Sequence, residues 1–117
     1  LYLIPSPIGN LGDMTYRAVE ALKQADVILC EDTRTSSILL RHYQIQKPLT
    51  PYHAHNEHKV LEHLADQIEA GKTFALITDA GTPGISDPGF LLVRECARRG
   101  LRVECLPGAT AFVPALV

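Results

Sequence analysis

The chain has 117 residues, of which 46% are apolar, 21% charged and 6% aromatic, with a formal charge of −2. That is the length of one domain, too apolar and too mixed in sign for disorder, and without the basic excess of a bulk nucleic-acid binder. No apolar run approaches the roughly 18 residues of a membrane span, and cysteines at 30, 96 and 105 fit neither a disulfide framework nor a CxxC metal pattern, so a reducing cytosol is expected.

Leu1–Ile4 reads as a strand, with no basic segment before it that would suggest a signal peptide. Pro5-Ser-Pro-Ile-Gly-Asn-Leu-Gly-Asp13 follows as a loop, and Met14–Ala25 as a helix. Gly9 and Gly12, between strand and helix, suggest a nucleotide loop. The spacing matches neither phosphate-binding fingerprint and no Lys is present, so the loop suits a ligand without phosphates or is an ordinary turn. Asp26–Cys30 is a second strand and Thr33–Tyr43 a second helix. Between them Glu31-Asp32-Thr33-Arg34 offers carboxylates that could act as a base and a guanidinium fork for an anion; alternatively Asp32 caps the helix and forms a surface ion pair.

Leu49–His53 reads as a third strand. Asn56–Ala70 follows as a helix, with Asn56 at its N-cap, Gly71 as its stop, and Val60, Leu61, Leu64, Ala65 and Ile68 on one face. His53, His55, His58 and His63 are read as a polar rim, because their spacing does not gather them on one helical face as metal ligands. Thr73–Thr78 is a fourth strand, Pro88–Arg99 a fourth helix and Arg102–Leu106 a fifth strand. The loop Asp79–Gly89 holds three glycines, two prolines and two aspartates, a composition for a rigid, backbone-lined crevice that suits a flat heterocycle. Asp87-Pro88 could also cap the fourth helix, with Pro88 at N1. Arg94, Arg98, Arg99 and Arg102 form either a solvated face or contacts to RNA phosphates.

Strand–helix alternation at this spacing predicts an α/β fold: an open five-stranded, mainly parallel sheet with helices on both faces. Its ligand belongs in a crevice beyond the carboxyl ends of the strands. The unusual loops, with Pro107-Gly-Ala-Thr110 after the fifth strand, all fall on that edge, while Gly71-Lys72 and Gly100-Leu101 on the other are short.

Pro5–Thr15, Cys30–Ser36, His55-Asn-Glu57 and Asp79–Gly89 closely resemble motifs of the tetrapyrrole methylase family, in the subgroup that methylates ribosomal RNA. The likeness runs through all 117 residues in order. Pro107–Thr110 departs from the Pro-Gly-Pro-Ser of that subgroup and looks like the Pro-Gly-x-Thr of its tetrapyrrole-modifying members.

The resemblance implies an S-adenosylmethionine-dependent enzyme, methylating the ribose 2′-hydroxyl of a cytidine in 16S rRNA of the small ribosomal subunit. It also implies a homodimer, while the cysteine usage, the short apolar runs and the histidine spacing lead to a cytoplasmic protein with no membrane association and no metal as the expectation. Residues 1–117 would be the N-terminal domain of a two-domain protein. An opening at Leu1 inside a strand and a close on the apolar Ala111–Val117 fit that expectation.

The cofactor is expected against Asp79, Ala80, Gly81, Thr82, Ile85, Ser86 and Asp87. Pro7, Gly9 and Asn10, together with Gly108, Ala109 and Thr110, are expected to close around it. The acceptor is expected at the loop after the second strand, next to the cofactor loop of the first, with Asp32 as first choice of base, Glu31 as second and Arg34 clamping RNA. A family methylase acting on a tetrapyrrole, or a non-catalytic nucleoside-binding or dimerisation module, is the alternative.

Overall fold

The structure, a computed structural model, describes residues 1–79, 81–83, 89–110 and 116–117. Among the described residues five strands alternate with four helices: β1 (Tyr2–Leu3), α1 (Tyr16–Gln24), β2 (Val27–Cys30), α2 (Thr33–His42), β3 (Leu49–Pro51), α3 (Glu57–Glu69), β4 (Phe74–Leu76), α4 (Phe90–Arg98) and β5 (Glu104–Cys105). The strands form one sheet in the order β3-β2-β4-β1-β5, with every pair parallel. The predicted class holds, and "mainly parallel" becomes wholly parallel.

The strands are shorter than their apolar runs because pairing ends early, yet ladder bonds continue past the ends. Ile4 N donates to Leu76 O at 2.9 Å, Ile77 N to Leu29 O at 2.9 Å and Leu106 N to Leu3 O at 3.0 Å. The helices shorten where caps intervene. Thr15 accepts from Ala18 N at 3.0 Å and starts α1 two residues after Met14. The N-cap of α4 is Gly89, at φ 128°, so the helix begins at Phe90; Asp87 and Pro88, expected there, lie outside the described residues. At the end of α3, Gly71 (φ 103°) donates its amide to Ile68 O at 3.0 Å, a left-handed stop that a glycine accepts without strain.

Alternation along the central strands splits the core in two. Ile28, Cys30, Ala75 and Ile77 pack with Ala18 and Leu22 of α1 and Leu39 and Leu40 of α2. Leu29, Phe74 and Leu76 pack on the other face with Leu64 and Ile68 of α3 and Leu92 and Cys96 of α4. Chain direction explains the division. From β1 the path steps outward to β2 and β3, then returns to β4 and on to β5; with crossovers of one hand, outward and returning helices must cover opposite faces. The C-terminal end of β4 is therefore flanked by β1 and β2, whose chains leave for the face opposite its own.

Outside the sheet, α3 and α4 are joined by charge. Arg99 donates to Glu95 at 2.8 Å, Asp66 at 2.8 Å, Glu69 at 3.1 Å and Glu62 at 2.7 Å, and Arg98 also pairs with Glu95. Arg98 and then Arg99 hold the Glu95 carboxyl down to about 2. Arg102 pairs with Glu104, and the Arg94 guanidinium lies 5.5 Å from the Phe90 ring centre. Three of the four arginines considered as RNA contacts are thus matched to carboxylates, which favours the structural reading of that face.

Candidate active site

Four loops meet around the end of β4, each joined to the next by a specific contact. Ser6, after β1, and Gly81, after β4, exchange both backbone hydrogen bonds at 2.9 Å in an isolated antiparallel bridge. The Ser6 hydroxyl, buried, donates to Thr78 O at 2.8 Å. Thr82 Oγ1 donates to Ala109 O at 2.9 Å and ties the β4 loop to the β5 loop. Gly108 lies so close to Pro5 that a Cβ at position 108 would sit 2.8 Å from the Pro5 Cβ. The fourth joint is polar: Glu31, at the end of β2, accepts from Asp79 N at 3.1 Å.

The structure thus brings Glu31, Asp79, Gly81, Thr82, Gly108 and Ala109 onto one edge, with Pro7 buried beneath it and Thr110 beside Ala109. Gly9 (φ 77°) and Asn10 lie exposed further along the β1 loop, where Asn10 Oδ1 accepts from Gly12 N at 2.9 Å. Ala80, Ile85, Ser86 and Asp87 lie outside the described residues. Ser6 was missed. Its place between Pro5 and Pro7, two residues that restrict the backbone on either side of it, was the available signal.

A hollow of about 130 Å³ opens among Ser6, Pro7 and Leu11, Thr35 and Ser36 of α2, and Thr78 and Asp79. Complete small-molecule sites run to roughly 300–1,000 Å³, so this hollow accommodates part of a ligand. A larger one of about 460 Å³, between Ser37 and Leu49, lies toward the opposite edge, where α2 runs into β3, away from these loops.

The strand order corrects one expectation. The β2 loop does not lie beside the β1 loop, because β4 stands between them; its neighbour is the β4 loop, which Glu31 contacts. Asp32 caps α2: its carboxylate accepts from the Arg34 backbone amide at 2.9 Å and from Arg34 Nε and Nη2 at 3.2 and 3.0 Å. The Arg34 side chain, and then its backbone amide, hold the Asp32 carboxyl below the usual carboxylate range. The cap-and-ion-pair alternative therefore describes the local geometry. Glu31 makes one bond through Oε1, and Oε2 has no hydrogen-bond partner among the described residues.

Asn56 also departs from expectation. It stands at the N-cap position of α3, yet its side chain makes no cap hydrogen bond. Oδ1 instead accepts from His53 N at 2.8 Å, and Nδ2 donates to Pro51 O at 3.0 Å.

An all-parallel sheet with helices on both faces, its longest loops gathered at the end of the central strand, is an open α/β fold of the kind that takes its ligand at that edge. Residues 1–117 match the profile of the Tetrapyrrole (Corrin/Porphyrin) Methylases, and the chain belongs to that family. It is 52% identical over its whole length to the ribosomal RNA small subunit methyltransferase I of Mycoplasmopsis pulmonis, covering 53% of that protein. It is also 52% identical to the protein of that name from Synechocystis, covering 42% of it. The chain spans about half or less of these curated relatives. In fold it is similar to uroporphyrin III C-methyl transferase from Thermus thermophilus, with a TM-score of 0.71 and 21% identity over 99% of this chain and 51% of that one.

Proposed function

We propose that this chain carries the cofactor crevice of an S-adenosylmethionine-dependent methyltransferase acting on the ribose 2′-hydroxyl of a cytidine in 16S rRNA, within the small ribosomal subunit. The observation that carries this reading is the chemistry of the crevice wall. Segments 5–13, 79–89 and 107–110 contain neither Lys nor Arg in their sequence, and among the described residues they contribute Asp13 and Asp79. With Glu31 beside Asp79, such a wall repels a polyphosphate and suits a cationic, phosphate-free nucleoside. The names of the 52%-identical relatives support methylation of small-subunit ribosomal RNA.

Bound there, S-adenosylmethionine supplies an electrophilic methyl on a sulfonium. The glycines at 81 and 108 let the loops close on Ile8 and Pro5, and the Ser6–Gly81 and Thr82–Ala109 bonds fix the wall in advance. Pro7, Gly9, Asn10 and Thr110 line its flanks, and Ala80, Ile85, Ser86 and Asp87 belong to the same loop in sequence. Glu31, with one oxygen anchored and one open, is a better acceptor for the hydroxyl proton than Asp32, whose carboxylate is committed to Arg34. Arg34, at the surface, remains the residue to meet an RNA phosphate. Ile8, Leu11 and Ile38 are exposed around the hollow and support a covering surface from further chain or a second copy. This reading includes a cytoplasmic homodimer.

The test is methylation of unmodified small ribosomal subunits by the complete gene product with labelled cofactor, followed by nuclease digestion and mass analysis. Label on a cytidine ribose is expected. Label on a base, or on a tetrapyrrole with the RNA unlabelled, contradicts the assignment.

A further inference from the structure

His53, the second residue after β3, is held through its amide, its carbonyl and one ring nitrogen. Its amide donates to Asn56 Oδ1 at 2.8 Å, and its carbonyl accepts from Asn56 N at 3.1 Å and Glu57 N at 2.9 Å. The ring takes a further bond: Nδ1 accepts from His55 N at 3.2 Å. A nitrogen that accepts an amide hydrogen carries no proton, so the neutral ring carries its hydrogen on Nε2. That Nε2 has no hydrogen-bond partner among the described residues. Asn56 achieves this arrangement by turning its side chain away from α3, leaving the first-turn amides of that helix without the side-chain cap its identity promised. A local rule broken for the sake of one neighbour marks a position that matters.

Topology places His53 next to the loop expected to meet the acceptor. Tyr52 N donates to Cys30 O at 2.7 Å, which aligns Tyr52 with Glu31 and His53 with Asp32 at adjacent strand ends. Tyr52 packs in the core shared with α3 and α4, and His53, the next residue, opens the turn into α3 at the strand end beside Asp32, where α2 begins.

We propose that His53 is a substrate-positioning residue, donating Nε2–H to an oxygen of the nucleotide being modified. It does so as the uncharged tautomer set by His55 and held by Asn56. The proposal rests on the RNA reading above. Its locked tautomer has no free lone pair and therefore excludes His53 as the base.

Two measurements on the complete gene product test it. In ¹⁵N-histidine-labelled protein above neutral pH, one ring with a proton fixed on Nε2 is expected, and it should lose that fixed tautomer in Asn56→Ala. In rRNA methylation, His53→Phe should raise KM for the small subunit about 5–20-fold, the worth of one lost hydrogen bond with its partner left unmatched. Turnover and cofactor affinity should be unchanged, and His53→Gln, which retains an N–H near the Nε2 position, should recover most of the loss. An unchanged KM in a folded, cofactor-binding His53→Phe enzyme overturns the proposal, as does a failure of His53→Gln to rescue. Wild-type enzyme that binds cofactor but labels no RNA would instead overturn the reading on which it rests.

Discussion

The carboxyl edge of the sheet and the outer face of α3 and α4 solve different problems with opposite chemistry. On the helical face, one guanidinium is saturated by four carboxylates. At the loop edge the joints are few and mostly backbone: one bridge, one threonine latch, one glycine-on-proline contact and one carboxylate on an amide. Those joints fix the wall while leaving Glu31 Oε2 and the His53 Nε2 without partners among the described residues. Dense charge therefore marks structure in this molecule, and sparse, rigid backbone marks the site.

The loop edge should break first. Gly81 sits at φ 85° with Ile8 Cδ1 3.5 Å from where a Cβ would be, so Gly81→Val combines backbone strain with a new contact. Left-handed strain of about 1–2 kcal/mol, more for a branched side chain, should lower cofactor affinity at least about tenfold with the fold retained, read by calorimetry and circular dichroism.

A sharper division is expected inside the β2 loop. Glu31→Gln should slow single-turnover methylation by about 10²–10⁴, the usual share of a general base. Asp32→Asn should leave the rate within a few-fold, since asparagine caps a helix as well as aspartate does. The reverse ranking would return the proton-accepting role to Asp32.

On the helical face, Arg99→Met should lower the melting temperature by a few degrees and leave cofactor affinity untouched. The same face carries a pH signature. Glu95, held down to about 2 in the fold, contributes stability that is complete above its ordinary value of 4.5 and is lost as pH falls from there toward 2. Acid unfolding monitored in that window should shift to higher pH in Arg98→Met. The smallest effect belongs to Thr15→Ala, which removes the α1 cap for about 1 kcal/mol and should touch neither ligand.

Much of this was legible in the residues. Strand–helix alternation, the apolar face of α3 and the placement of every glycine-rich loop on one edge follow from periodicity and turn chemistry, which are local. Strand order is not local. Nothing in the chain between β1 and β2 announces that β4 will insert between them, so the neighbour of Glu31 had to come from the structure. Local rules also gave the wrong partner for Asn56, where a cap in sequence became a clamp on His53, and they could not choose between Glu31 and Asp32. That choice turns on which carboxylate finds an arginine beside it.

The central claim is that the loops joined by the Ser6–Gly81 bridge hold S-adenosylmethionine, and calorimetric titration of that compound into the complete gene product tests it most directly. Saturable binding that is weakened at least about tenfold by Gly81→Val and unchanged by Arg99→Met is the predicted result. Equal affinity in all three proteins, or no binding to the folded parent, would contradict it.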